Sequence, residues 1–190
     1  MDIYHLTQFV NTYLINHYNS LSGDLREHMY GSKIEKYTEF IEKDRIPEFV
    51  ALGIVDVGIC GEYLARQAGT SDDCIIKRLG FNKSTLSLAI PRDAKYKGIE
   101  WFMGKTIATP YPDLLLKYLK SHGIKAKARL MREHVYMAPK VGIADAICDR
   151  VYSGTALMSE NLKEVETVMT SEAILIATPN MTPLNKMSLN

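Results

Sequence analysis

Lys105 to Met131 reads as a strand, a helix and a second strand in immediate succession. Lys105 to Ala108 is a short strand, Asp113 stands at the cap position of the helix LLLKYLKSH, Gly123 closes that helix, and Lys125 to Met131 is extended again. One such βαβ unit commits a chain to a sheet with crossover helices, because the connection between parallel strands must pass over a sheet face.

Other segments continue the pattern. Ile46 to Gly53 reads as a short helix with Pro47 in its first turn and Gly53 just past its end. Ile54 to Cys60, IVDVGIC, is an apolar run with one carboxylate, expected as a buried parallel strand closed by Gly61. Leu86 to Ile90 is a strand stopped by Pro91, and Arg92 to Glu100 is a polar crossover. GIADAICDRV (142–151) is expected as a helix running into a strand, and Glu172 to Ala177 as a last buried strand that returns the chain to its first half. Ahead of all these, Leu6, Phe9, Val10, Tyr13, Leu14 and His17 fall at helical spacing on one face.

With 190 residues, the chain has room for one domain or two small lobes. The expected division is a first lobe from 1–91 plus 169–190 and a second from 92–168. Hydrophobic residues at 46% and charged residues at 24% describe a globular chain, neither disordered nor fibrous. Lys and Arg number 23 against 22 Asp and Glu, so no global field draws nucleic acid or an anionic membrane to the surface. Cys60, Cys74 and Cys148 are odd in number and widely spaced, which fits reduced thiols and a cytoplasmic protein. Asp2 stands where a signal peptide needs a basic region, and His5, Asn11 and Asn16 interrupt any membrane-inserting run, so no export signal or span is expected.

Asp145 to Leu157, DAICDRVYSGTAL, carries the most chemistry. Two carboxylates, Asp145 and Asp149, precede a strand, and Ser153, Gly154, Thr155, Ala156 and Leu157 follow it. A small hydroxyl and glycine loop lets backbone N–H groups approach a phosphate, while a nearby Asp can reach ribose hydroxyls or a magnesium ion. The same letters also make an ordinary turn. Lys125, Lys127 and Arg129 would share one strand face, as a phosphate site or as charge that blunts an edge strand. Asp56 faces either a cleft or its own backbone neighbours. Glu133 and His134 are adjacent, so on a strand they would point apart. The five histidines show no metal-ligand spacing.

Four phrases, DRIPEFVALGIVDVGICGE, LGFNKSTLSLAIP, GKTIATPYPDLLLKYLKSHGIKAKA and GIADAICDRVYSGTAL, together resemble the ATP phosphoribosyltransferase family over roughly 44–177, in family order and spacing. The resemblance implies an α/β fold of two lobes, like type II periplasmic binding proteins, with a cleft between them. It implies transfer of phosphoribosyl from phosphoribosyl pyrophosphate to N1 of ATP, with Mg2+ carried by the departing pyrophosphate. In that reading Ser153 to Leu157 hold the 5-phosphate, Asp145 or Asp149 binds the ribose, and Glu62 and Thr109 stand at the cleft rim. It also implies a homo-oligomer, and for a chain without the C-terminal regulatory domain of long members, a regulatory subunit resembling histidyl-tRNA synthetase.

The departures from the family pattern are concentrated in the substrate-binding phrases. V-S-T-G-x-T-L becomes Val151-Tyr152-Ser153-Gly154-Thr155-Ala156-Leu157, G-S-V-E-x-A-P becomes Glu133 to Pro139 with Tyr136 in the acidic place, and the opening K-G-R-L strand is not found. The competing expectation is therefore a non-catalytic or repurposed relative that binds a nucleotide or phosphosugar, or an assembly subunit.

Overall fold

The computed structural model describes residues 42–152 and 154–179. The helical face expected over Leu6 to His17 lies outside them. Two sheets organise the chain: a three-stranded sheet with strand 173–177 between strands 57–61 and 75–78, and a five-stranded sheet in the order 127–130, 106–109, 146–151, 84–91 and 162–171.

The small sheet combines β1 (Val57–Gly61), β2 (Ile75–Arg78) and β8 (Ala173–Ala177). β8 is central and every residue of it is buried, which is why AILIA carries no polar side chain. Both neighbours run antiparallel to it, with Ile59 opposite Leu175 and Lys77 opposite Leu175 on the other side. The parallel pairing expected for IVDVGIC is thus corrected: burial produced the apolar run, and burial does not depend on strand direction. Helix α1 (Ile46–Ala51), with Pro47 in its first turn, lies against β1 at Gly58. A Cβ there would come within 2.6 Å of Ile46 and 2.9 Å of Val50, so only glycine admits the helix at this distance. Helix α2 (Glu62–Gln67) follows β1 directly.

The large sheet holds the expected βαβ unit: β4 (Thr106–Thr109) and β5 (Lys127–Leu130) pair in parallel, joined by α3 (Pro112–Ser121). β6 (Ala146–Val151) is parallel to β4, whereas β3 (Ser84–Pro91) and β7 (Leu162–Ser171) are antiparallel to their neighbours. β3, expected in the first lobe, is hydrogen-bonded into this second sheet between β6 and β7. Residues 142–145 form turn rather than helix, and the strand begins only at Ala146. Asp113 is not the cap of α3: Tyr111 holds that position, and Asp113 in the first turn accepts a 2.7 Å hydrogen bond from Gln67 on α2. Lys127 and Arg129 are exposed along the edge strand β5 and Lys125 just before it, with Ala126 and Ala128 packed inward, the edge-blunting arrangement.

One cluster, with Leu86, Leu88, Ile90, Phe102, Ile107, Leu115 and Leu119, packs α3 onto the large sheet. Leu115 is fully buried there, so Leu115→Ala is expected to remove about 2 to 5 kcal/mol of stability, read as the shift in a urea unfolding midpoint. No helix among the described residues is long and apolar enough to cross a membrane.

Candidate active site

The helices that follow β1 and β4 are linked by the Gln67–Asp113 hydrogen bond, which brings together the carboxyl ends of these strands, the place where ligands of open α/β sheets bind. At the end of β6, the chain turns through Gly154 into the short helix α4 (Thr155–Ser159). Gly154 has φ +70° and ψ −7°, a left-handed conformation that a residue without Cβ adopts freely. A Cβ at this position would meet nothing within 4 Å, so the backbone here is open. Thr155 and Ala156 are exposed, while Leu157 is buried among Ala89, Val135 and Ile147 and anchors the turn. Ser153 lies outside the described residues.

Asp149, two residues before the end of β6, is partly buried, and its carboxylate accepts the Arg150 backbone N–H at 2.7 Å. Burial holds its carboxyl above the ordinary aspartate range, opposed by that hydrogen bond and by the Arg150 and Lys43 charges. A raised folded-state value means that burying the ionised form opposes folding above it and that this penalty fades as the pH falls. Asp149→Asn is therefore expected to raise the melting temperature at pH 7 while it weakens any sugar contact, checked by calorimetry with and without ribose 5-phosphate.

Asp145 is not brought to the turn. It precedes β6, at the opposite end of the strand, where its carboxylate accepts the Thr106 N–H at 2.8 Å and pairs with Lys105 at 3.4 Å, tying β6 to β4. Thr109 is fully buried at the end of β4, its hydroxyl accepting the Tyr111 N–H at 3.0 Å. That side chain shapes a bend and does not face solvent. Asp56 is exposed before β1, with its carbonyl accepting the Thr178 N–H.

Glu62 is buried at the start of α2 and engaged by two arginines: Arg78 through Nη2 at 2.6 Å and Nε at 3.2 Å, and Arg66 at 3.3 Å. It lines a cleft of about 790 Å³ shared with Arg78, Lys83, Thr85, Tyr152 and Gly154. The structure thus brings Glu62 and Gly154 to one cleft, with Asp149 on the strand that leads to it.

Composition and spacing did not reveal the side chains that span the gap. Arg150 reaches from β6 to α2, where it donates to the Tyr63 hydroxyl and lies 4.3 Å over the Tyr63 ring. Its guanidinium also lies 4.6 Å over Tyr152, and Tyr63 meets Tyr111 edge-on at 5.1 Å. Gly61 permits this, since a Cβ there would stand 2.3 Å from the Tyr63 ring. Gly61→Ala is expected to push that ring aside and loosen the bridge, seen as faster amide exchange at both Tyr63 and Arg150. The one available signal was a cation between an Asp and a Tyr in DRVY (149–152), with no hint of its partner on α2. Tyr136 donates to the Arg150 carbonyl at 3.0 Å, and burial raises its phenol to about 12.

Among the described residues, no three His, Cys, Asp or Glu side chains gather as metal ligands. The three thiols are buried, and burial raises Cys60 to about 12.

The family profile described as HisG: ATP phosphoribosyltransferase matches residues 42–190. The chain belongs to the ATP phosphoribosyltransferase family. An ATP phosphoribosyltransferase of Bacteroides fragilis is 50% identical over 149 residues, 77% of this chain and 52% of the relative. One of Cytophaga hutchinsonii is 40% identical over 173 residues, 91% of this chain and 59% of the relative. The chain spans about half the length of the curated relatives it matches. In structure it is similar to the ATP phosphoribosyltransferase (HisG:HisZ) complex of Thermotoga maritima, with a TM-score of 0.66 and 24% identity over 74% of this chain and 67% of that one. The ligand-binding core of GluR0 superposes with a TM-score of 0.53 and 15% identity, covering 80% and 72%. The family member thus has the two-lobed α/β fold of type II periplasmic binding proteins.

Proposed function

We propose that this chain binds phosphoribosyl pyrophosphate at the turn after β6 and transfers the phosphoribosyl group to N1 of ATP, releasing pyrophosphate. The observation that carries this reading is the open, left-handed Gly154 at the end of the strand that holds Asp149, in a chain 50% identical over 149 residues to an ATP phosphoribosyltransferase. The exposed backbone from Gly154 to Ala156 would hold the 5-phosphate, with Leu157 fixing the turn from beneath. Asp149 would accept hydrogen bonds from ribose hydroxyls and favour positive charge developing on the sugar as its bond to pyrophosphate breaks. Arg78 and Lys83, across the 790 Å³ cleft, supply cations for the leaving group, and Mg2+ arrives as the pyrophosphate's own counter-ion. No protein nucleophile is needed. Rate would come from holding the two substrates in line and from stabilising charge.

The two lobes are proposed to follow the two sheets, so the chain passes between them at 79–83 and again at Glu172, not at Pro91. A cytoplasmic setting, a homo-oligomer and a histidyl-tRNA-synthetase-like regulatory partner complete the proposal, by analogy with the two-component complex of the Thermotoga relative. Titration of the chain with phosphoribosyl pyrophosphate, with and without ATP and Mg2+, tests the core of it. Failure to bind at millimolar concentration would refute it.

One observation favours a second reading, binding without efficient transfer. Arg150 is held by Tyr63 and Tyr152, and the Tyr136 hydroxyl is spent on a backbone carbonyl. Side chains near the reacting centre are thus engaged with one another. Binding of phosphoribosyl pyrophosphate without pyrophosphate release would select this reading.

A further inference from the structure

Tyr152 is 61% exposed although it sits at the end of a central strand, between half-buried Val151 and the turn at Gly154. The Arg150 guanidinium lies over one face of the ring, 4.6 Å from its centroid. Arg150 is itself fixed by Tyr63. Strand alternation puts the two side chains on one face of β6, which allows the stack to form. The Tyr152 hydroxyl adds a long contact of 3.5 Å to Asn82. The ring lines the 790 Å³ cleft together with Gly154, Thr85 and Lys83, and most of it is open to solvent. Ser84, in the floor of that cleft, is buried with its hydroxyl unpartnered among the described residues.

We propose that Tyr152 is a stacking platform for the purine base of a nucleotide in this cleft. The proposal deepens the function argued above and rests on that reading for the identity of the nucleotide. A planar base gains from a rigid aromatic face because neither partner loses much freedom on contact, and a cation on the far face of the ring adds to its rigidity. One residue separates Tyr152 from Gly154, so base and phosphate would meet adjacent parts of one strand end. Lys83 lies in the same cleft to receive phosphate charge, beside Arg78, which is paired with Glu62, and the carboxylates of Glu164 and Glu172.

The test titrates AMP and, separately, ribose 5-phosphate into the wild-type chain, Tyr152→Phe and Tyr152→Ala, by calorimetry and by proton NMR of the adenine. A platform predicts that Tyr152→Ala weakens AMP about ten- to hundred-fold, that Tyr152→Phe stays within about threefold, and that ribose 5-phosphate changes less than about twofold in either. The adenine H2 and H8 resonances should move upfield on binding wild type and the Phe variant, and not on binding the Ala variant. Equal loss of both ligands in Tyr152→Ala would overturn the platform, because it would show a damaged turn instead. Unchanged AMP affinity in that variant would overturn it too. If AMP binding depends on the ring while ribose 5-phosphate fails to bind wild type, the platform stands and the phosphate-turn reading falls; if neither ligand binds wild type, both fall.

Discussion

Pyrophosphate release from phosphoribosyl pyrophosphate, ATP and Mg2+ is expected to run roughly 10² to 10⁶ times slower with this chain than with a relative that keeps the V-S-T-G-x-T-L turn. Each charge-assisted contact to a phosphate contributes about 1.5 to 3 kcal/mol, and each 1.36 kcal/mol of lost transition-state stabilisation is tenfold in rate. Two or three such contacts differ here. Ala156 presents no hydroxyl at its exposed position, Tyr136 stands in an acidic place and donates to the Arg150 carbonyl, and Arg150 is stacked between two rings. A continuous pyrophosphate assay at saturating substrates measures the outcome. Turnover equal to the unaltered relative would show that Arg78, Lys83 or another cation replaces what the turn has lost.

Gly154→Val is expected to reduce ribose 5-phosphate affinity by more than tenfold. A Cβ at Gly154 meets open space, so crowding is not the cause. The left-handed backbone at φ +70° is the cause: a non-glycine residue is disfavoured there by about 1 to 2 kcal/mol, and a β-branched one more. Valine would turn the peptide toward extended angles and rotate the following N–H groups away from the phosphate. Asparagine tolerates the left-handed region, so Gly154→Asn should keep most of the affinity. Calorimetry on the three proteins, with circular dichroism to confirm their folds, separates the two variants. Equal affinity for Gly154→Val and wild type would remove the turn from the binding site.

The βαβ unit from β4 to β5 was legible because Gly123 and the apolar spacing of Leu115 and Leu119 are local signals, although Asp113 lies in the first turn and not at the cap. Strand direction was not legible. Whether IVDVGIC runs parallel or antiparallel depends on a partner more than a hundred residues away, and an apolar run reports burial alone. β7 escaped because it lies at the edge of its sheet, where LKEVETVMTS mixes exposed charge with half-buried valines. At the site, Gly154 and Asp149 could be found from residue types in one short stretch. Asp145 could not be told from Asp149 until the strand was drawn, because only its length separates the two carboxylates. The link from Arg150 to Tyr63 crosses 87 positions, and nothing local encodes it.

The return path of the chain sets how the two halves can move. β7 ends in the large sheet at Ser171 and β8 begins in the small one at Ala173, so Glu172 alone forms that joint; its carbonyl accepts the Glu62 N–H at 2.9 Å. The other passage, 79–83, carries five residues between β2 and β3, and there the Ala173 carbonyl accepts the Leu79 N–H. A single-residue joint beside a five-residue strap leaves little slack between the two sheets. The Arg150 to Tyr63 contact adds a tie through side chains to these two backbone passages, so three separate links hold the sheets in place.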